Sequence, residues 1–92
     1  MTCRLELLGG FRLLVDGEPV AVAMRKAQLL LARLALAGPA GVGRDTLCAL
    51  LWENSAAEQA RTSLRQMLAQ LRRALGDHAA VLVSEGDRVA LD

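Results

Sequence analysis

The chain has 92 residues, 53% of them apolar and 23% charged, which suits one domain with a packed core and excludes disorder as its ground state. Eleven Lys and Arg against ten Asp and Glu leave a formal charge of +1, which argues against a polybasic tail or a histone-like protein but leaves room for a small basic face. One Trp and one Phe are too few to stack a run of unpaired bases, which argues against the single-strand readers built that way.

The first 23 residues predict an antiparallel meander. Cys3 to Leu7 alternates with period two, Gly9-Gly10 interrupts, Phe11 to Val15 continues extended, Asp16-Gly17 turns, and Pro19 to Val22 starts again. From Arg25 the period changes. Ala27, Leu30, Leu31 and Leu34 fall on one helical face, giving a helix to about Ala37 that Gly38-Pro39 stops. Gly41-Val42-Gly43 is a connector. A short second helix follows from about Arg44, with Asp45 in its first turn, Leu47, Leu50 and Leu51 inward, and Trp52 at its end. Ser55-Ala56-Ala57-Glu58 has the form of a capping box. It opens a third helix whose stripe is Leu64, Leu68, Leu71 and Leu75, with Ala60 and Met67 on the margin and Gly76 as the stop. Val81-Leu82-Val83, a turn at Ser84 to Asp87, and Arg88 to Leu91 complete a hairpin.

Several chemistries fail on their own requirements. Cys3 and Cys48 lack metal-ligand spacing and His78 is the only histidine, so no zinc site is expected; two reduced, mostly buried thiols are. The run from Met24 to Ala37 imitates a secretory signal, but it starts too late and Arg33 breaks it, so neither export nor a membrane span is expected and the chain reads as cytoplasmic. Gly38 to Thr46 has the outline of a phosphate-binding loop. Arg44 replaces the lysine, Asp45 puts negative charge where phosphate should lie, and a helix precedes the segment instead of a strand. His78 beside Gly76-Asp77 is expected to be solvated, and no positioned acid–base pair surrounds a pocket, so neither enzymatic activity nor a cofactor is expected.

The third helix is the informative segment. With its leucine stripe inward, Thr62, Gln66, Ala69 and Arg73 face the opposite side. Ser63 and Gln70 flank one edge, and Arg61, Arg65 and Arg72 the other. Residues 59–75 hold four arginines and no acid. Such a helix suits a major groove, where short polar side chains and amides reach base edges and arginines hold phosphate or guanine. An ordinary amphipathic helix with solvated arginines has the same pattern, and the order of elements around it decides in favour of the groove.

Leu51-Trp52, Ala60-Arg61-Thr62-Ser63-Leu64 and Leu71-Arg72-Arg73-Ala74-Leu75-Gly76 resemble the OmpR-type winged helix, and specifically its antibiotic-regulatory-protein (SARP) branch. Leu5 to Leu8 with Gly10-Phe11, Asp16 to Val20, Arg25-Lys26-Ala27 and Val42 to Leu47 sit where that branch has matching segments, so the resemblance spans essentially the whole chain. It implies an α+β fold: an N-terminal antiparallel sheet, three helices with the third as recognition helix, and a C-terminal hairpin wing. It implies sequence-specific binding of double-stranded promoter DNA by a bacterial regulator, often as head-to-tail copies on direct repeats, and activation of transcription with RNA polymerase as a further partner. A monomer in isolation or a tandem dimer on DNA is the expected state.

Carried over by position, Thr62, Ser63, Gln70 and Arg72 match DNA-facing positions of the recognition helix, Arg44 a phosphate contact opening the second helix, and Trp52 a tryptophan whose indole N–H reaches phosphate. A core plug is at least as strong an expectation for Trp52. Arg61, Arg65, Gln66 and Arg73 join them from the helical wheel, and Arg88 from the wing. Two departures stand out: Glu85 and Asp87 flank the wing arginine, and Gly43 occupies the cap of the second helix where the family has serine. Relatives usually continue into a helical activation domain, so residues 1–92 are expected to be the N-terminal part of a longer regulator. The rival expectation is a winged-helix module that binds a protein instead of DNA.

Overall fold

In the computed structural model, residues 3–6 and 10–91 are described. Two three-stranded antiparallel sheets bracket three helices. Strands β1 (Cys3–Glu6), β2 (Arg12–Val15) and β3 (Glu18–Val20) form the first sheet in the order β1-β2-β3. The extended run expected from Phe11 to Val15 is realised as β2, in which Leu13 and Val15 turn inward and Arg12 outward. Leu7 and Gly9, assigned above to the end of the first strand and its interruption, lie outside the described residues.

Helix α1 (Arg25–Ala37) buries Ala27, Leu30, Leu31 and Leu34. Its entry is pinned by Gln28, whose Nε2 donates to the Val22 carbonyl at 2.7 Å. Helix α2 (Arg44–Leu51) buries Leu47 and Cys48, and α3 (Ala57–Leu75) buries the four stripe leucines together with Ala60 and Met67. These side chains meet Val81, Leu82, Val89 and Leu91 in one core. Each buried leucine contributes about 1.5–3 kcal/mol, which is why the helical stripes dominate the fold over local propensity. Gly76 ends α3 at φ 56°, and its N–H donates to the carbonyls of Arg72 and Arg73.

The C-terminal hairpin, β5 (Leu82–Glu85) and β6 (Arg88–Leu91), forms as expected, but four local expectations do not hold. Leu50, read above as inward, stands exposed on α2, because the core contacts of that helix are taken by Leu47 and Cys48. The connector contains a strand, β4 (Val42–Gly43), which pairs with β6 and makes the second sheet β4-β6-β5. Gly41 is what permits that approach: at φ +73° a Cβ would lie 2.6 Å from the Val89 carbonyl oxygen. The capping box at Ser55–Glu58 does not form, because α3 starts at Ala57 with Ala56 as N-cap and no side-chain cap bond. Ser55 is drawn instead into the α2–α3 turn, its N–H donating to the Trp52 carbonyl at 3.0 Å. His78 is half-buried instead of freely solvated: it sits in the 3-10 turn Gly76–Val81, 24% exposed, with Nε2 3.5 Å from Glu18 Oε2 on the first sheet.

Candidate nucleic-acid interface

The outer face of α3 matches the helical wheel. Thr62, Gln66, Ala69, Gln70 and Arg73 are exposed, Ser63 and Arg72 half-buried, and Arg61 and Arg65 exposed on the flank. Three of the four arginines already have partners inside the molecule. Arg61 Nη2 lies 3.7 Å from Asp45 Oδ1, Arg65 Nη2 donates to Thr62 Oγ1 at 3.3 Å, and Arg72 Nη2 reaches the Leu82 carbonyl at 3.5 Å. Among the described residues Arg73 alone of the four makes no such contact.

The N-terminal half of α3 borders a cleft of about 450 Å³ lined by Arg44, Asp45, Glu58, Arg61, Thr62, Leu64, Arg65 and Asp87. Its three arginines face three carboxylates supplied by the first turn of α2, the first turn of α3 and the wing. The N-terminal half of the basic run therefore has acids beside it, with Arg61 ion-paired to Asp45, whereas Arg72 and Arg73 make no ion pair among the described residues. Sequence reasoning missed these acids because none lies within the run; Asp45 and Asp87 arrive by tertiary folding.

The second helix and the wing are stitched together. Arg44 donates from Nη2 to Ser84 Oγ and from its backbone N–H to the Asp87 carbonyl at 2.8 Å. Arg88, across the turn from Glu85, directs Nη1 to the Ala40 carbonyl at 3.3 Å. Trp52, at the C-terminal end of α2, is half-buried, with Lys26 Nζ 5.3 Å from its ring centroid. Behind the cleft the Cys48 thiol is buried; burial first, then the Asp45 carboxylate, push its pKa up against the opposing Arg61 and Arg44. Cys3, half-buried, is likewise raised by burial, and both thiols are free. Among the described residues no cluster of His, Cys, Asp and Glu could hold a metal, and no helix is long and apolar enough to cross a membrane.

A helix pair leading into a hairpin whose turn is bonded back to the second helix defines a winged helix, here with a small sheet in front. No family model matches the chain. The chain is 36% identical over 70 residues, 76% of its length, to the transcriptional regulatory protein EmbR of Mycobacterium bovis, and equally to that of Mycobacterium tuberculosis. It spans only 18% of those proteins. Among solved structures it is similar to Mycobacterium tuberculosis EmbR in complex with a low-affinity phosphopeptide, with TM-score 0.76 and 31% identity over 99% of this chain and 26% of that one. These likenesses support an OmpR-like winged-helix domain of the antibiotic-regulatory-protein (SARP) branch.

Proposed function

We propose that this domain binds double-stranded DNA as part of a bacterial transcriptional regulator, laying α3 in the major groove. The observation that carries the reading is the outer face of α3: Thr62, Gln66, Gln70 and Arg73 form one exposed polar stripe opposite the leucine core. Amides on that stripe suit base edges, and Arg73 suits phosphate or guanine. Similarity to the EmbR regulators supports the regulatory role. Promoter direct repeats occupied by head-to-tail copies, activation through RNA polymerase and a cytoplasmic location follow from the same reading. Selection of bound sequences from random duplexes tests it. A repeated half-site about one helical turn apart is the expected outcome, and no enrichment over input overturns it.

A second reading, a module that binds protein through α3, is favoured by one feature: Asp45, Glu58 and Asp87 offset the arginines of the cleft. Titration with duplex at two salt concentrations separates the two, because phosphate contacts release counterions and a protein interface does not.

A further inference from the structure

On the flank of α2 turned away from α3, Leu47, Leu50 and Leu51 face Leu29, Leu30 and Arg33 of α1 across a groove of about 260 Å³. Leu29 is 52% exposed and Leu50 55% exposed. Single exposed leucines are ordinary on a protein surface, but here two stand on either side of one furrow between helices. The volume falls below the roughly 300–1,000 Å³ of small-molecule sites and suits one or two apolar side chains delivered by a helix.

The surrounding charge is one-sided. The groove lining has no acid, and α1 carries Arg25, Lys26 and Arg33 with none. The acids nearest in sequence on the α2 side, Asp45 and Glu53, line the hollow on the other flank of that helix, beside Trp52 and Arg61. Lys26 is taken up by the Trp52 ring, whereas Arg33 is exposed at the groove with no hydrogen bond or ion pair among the described residues.

We propose that this groove docks an amphipathic helix of a partner protein, one that seats leucine-type side chains between Leu29 and Leu50 and carries carboxylates along the edge facing Arg33. A second copy of this chain is a poor occupant, because a two-fold pairing sets the same patch against itself and neither the groove lining nor α1 carries an acid to meet Arg33. The groove and the outer face of α3 lie on different flanks of α2, so the partner and DNA can be held together.

The test uses the 92-residue chain and a fluorescein-labelled synthetic helix with leucines at i, i+3, i+4 and i+7 and glutamates on both edges, against its lysine-edged counterpart. Saturable binding of the glutamate peptide is expected, with a preference of about two- to fivefold over the lysine peptide at low salt. Leu50→Glu should weaken binding about tenfold or more by removing an apolar wall. Arg33→Glu, at an exposed position that leaves folding intact, should reverse the preference between the two peptides. Absence of saturable binding, equal binding of both peptides, or indifference to both substitutions overturns the proposal. Sedimentation as a dimer that Leu50→Glu dissociates would also overturn it, assigning the face to a second copy.

Discussion

The backbone N–H of Arg44 donates to the carbonyl oxygen of Asp87 at 2.8 Å, so the wing turn caps the second helix. Helix α2 needs this, because Gly43 at its N-cap supplies no side-chain acceptor. The Arg44 guanidinium, bonded to Ser84, fastens the same two elements a second time.

Gly43 and Gly41 should therefore respond oppositely to a side chain. Gly43 has extended backbone at φ −63°, and a Cβ there would meet nothing closer than 3.8 Å. Gly43→Ser should stabilise the domain by about 0.5 kcal/mol through a hydroxyl cap and a stiffer unfolded chain, raising Tm by about 2–4 °C. Gly41→Ala should cost about 1–3 kcal/mol, since it combines a left-handed backbone with a clash against the Val89 carbonyl. Thermal unfolding of the two variants checks both signs.

Neighbouring arginines on α3 should separate binding from folding. For Arg73→Ala, the slope of log K for duplex DNA against log salt should fall by about one unit, with stability unchanged within about 0.5 kcal/mol. Arg72→Ala also removes the bond to the Leu82 carbonyl, and should lower stability by about 0.5–1 kcal/mol as well as weakening binding to all sequences. An unchanged salt slope in Arg73→Ala refutes its assignment to phosphate.

Gln70 is exposed on α3, where the proposed docking would set its amide against a base edge. Gln70→Ala should reduce discrimination between cognate and scrambled duplex by about 1–3 kcal/mol while non-specific affinity stays nearly constant. Equal losses on both duplexes, measured by competition titration, would contradict base reading.

The Cys48 and Cys3 thiols should make stability fall in alkali. Folding holds the Cys48 proton above the ordinary thiol value of 9.0, so its contribution is complete below that value and is lost as pH rises through it toward the folded value. Cys3, raised by burial, acts in the same direction. Urea midpoints should decline between about pH 8 and about pH 10, and Cys48→Ala should flatten the decline. Identical slopes in the two chains would remove the Cys48 thiol as a cause.

Elements defined by local pattern were legible in the sequence: the leucine stripe of α3, the extended runs that form β2 and β6, and the stops at Gly38 and Gly76 all recur in the structure. What escaped is long-range. A two-residue strand with a glycine in it has no alternation to detect, and β4 exists only because β6, more than forty residues later, lies alongside it. The capping box failed because the α2–α3 turn claims Ser55. The candidate DNA face was legible as a helical wheel, but the partners of Arg44, Arg72 and Arg88 were not, since each bond joins residues from ten to forty-eight positions apart.

The cations of α1 bear on how the domain finds a site. If the domain binds DNA as proposed, an approaching duplex would be attracted by Arg25 and Arg33 of α1 as well as by Arg73 on α3, and only the second encounter would place the polar stripe at base edges. A bare domain should spend part of its search bound back to front, which lowers the productive association rate without changing the final complex. An acidic helix seated beside Arg33 would mask the wrong landing place, so a regulator so occupied would reach its operator faster than the isolated domain.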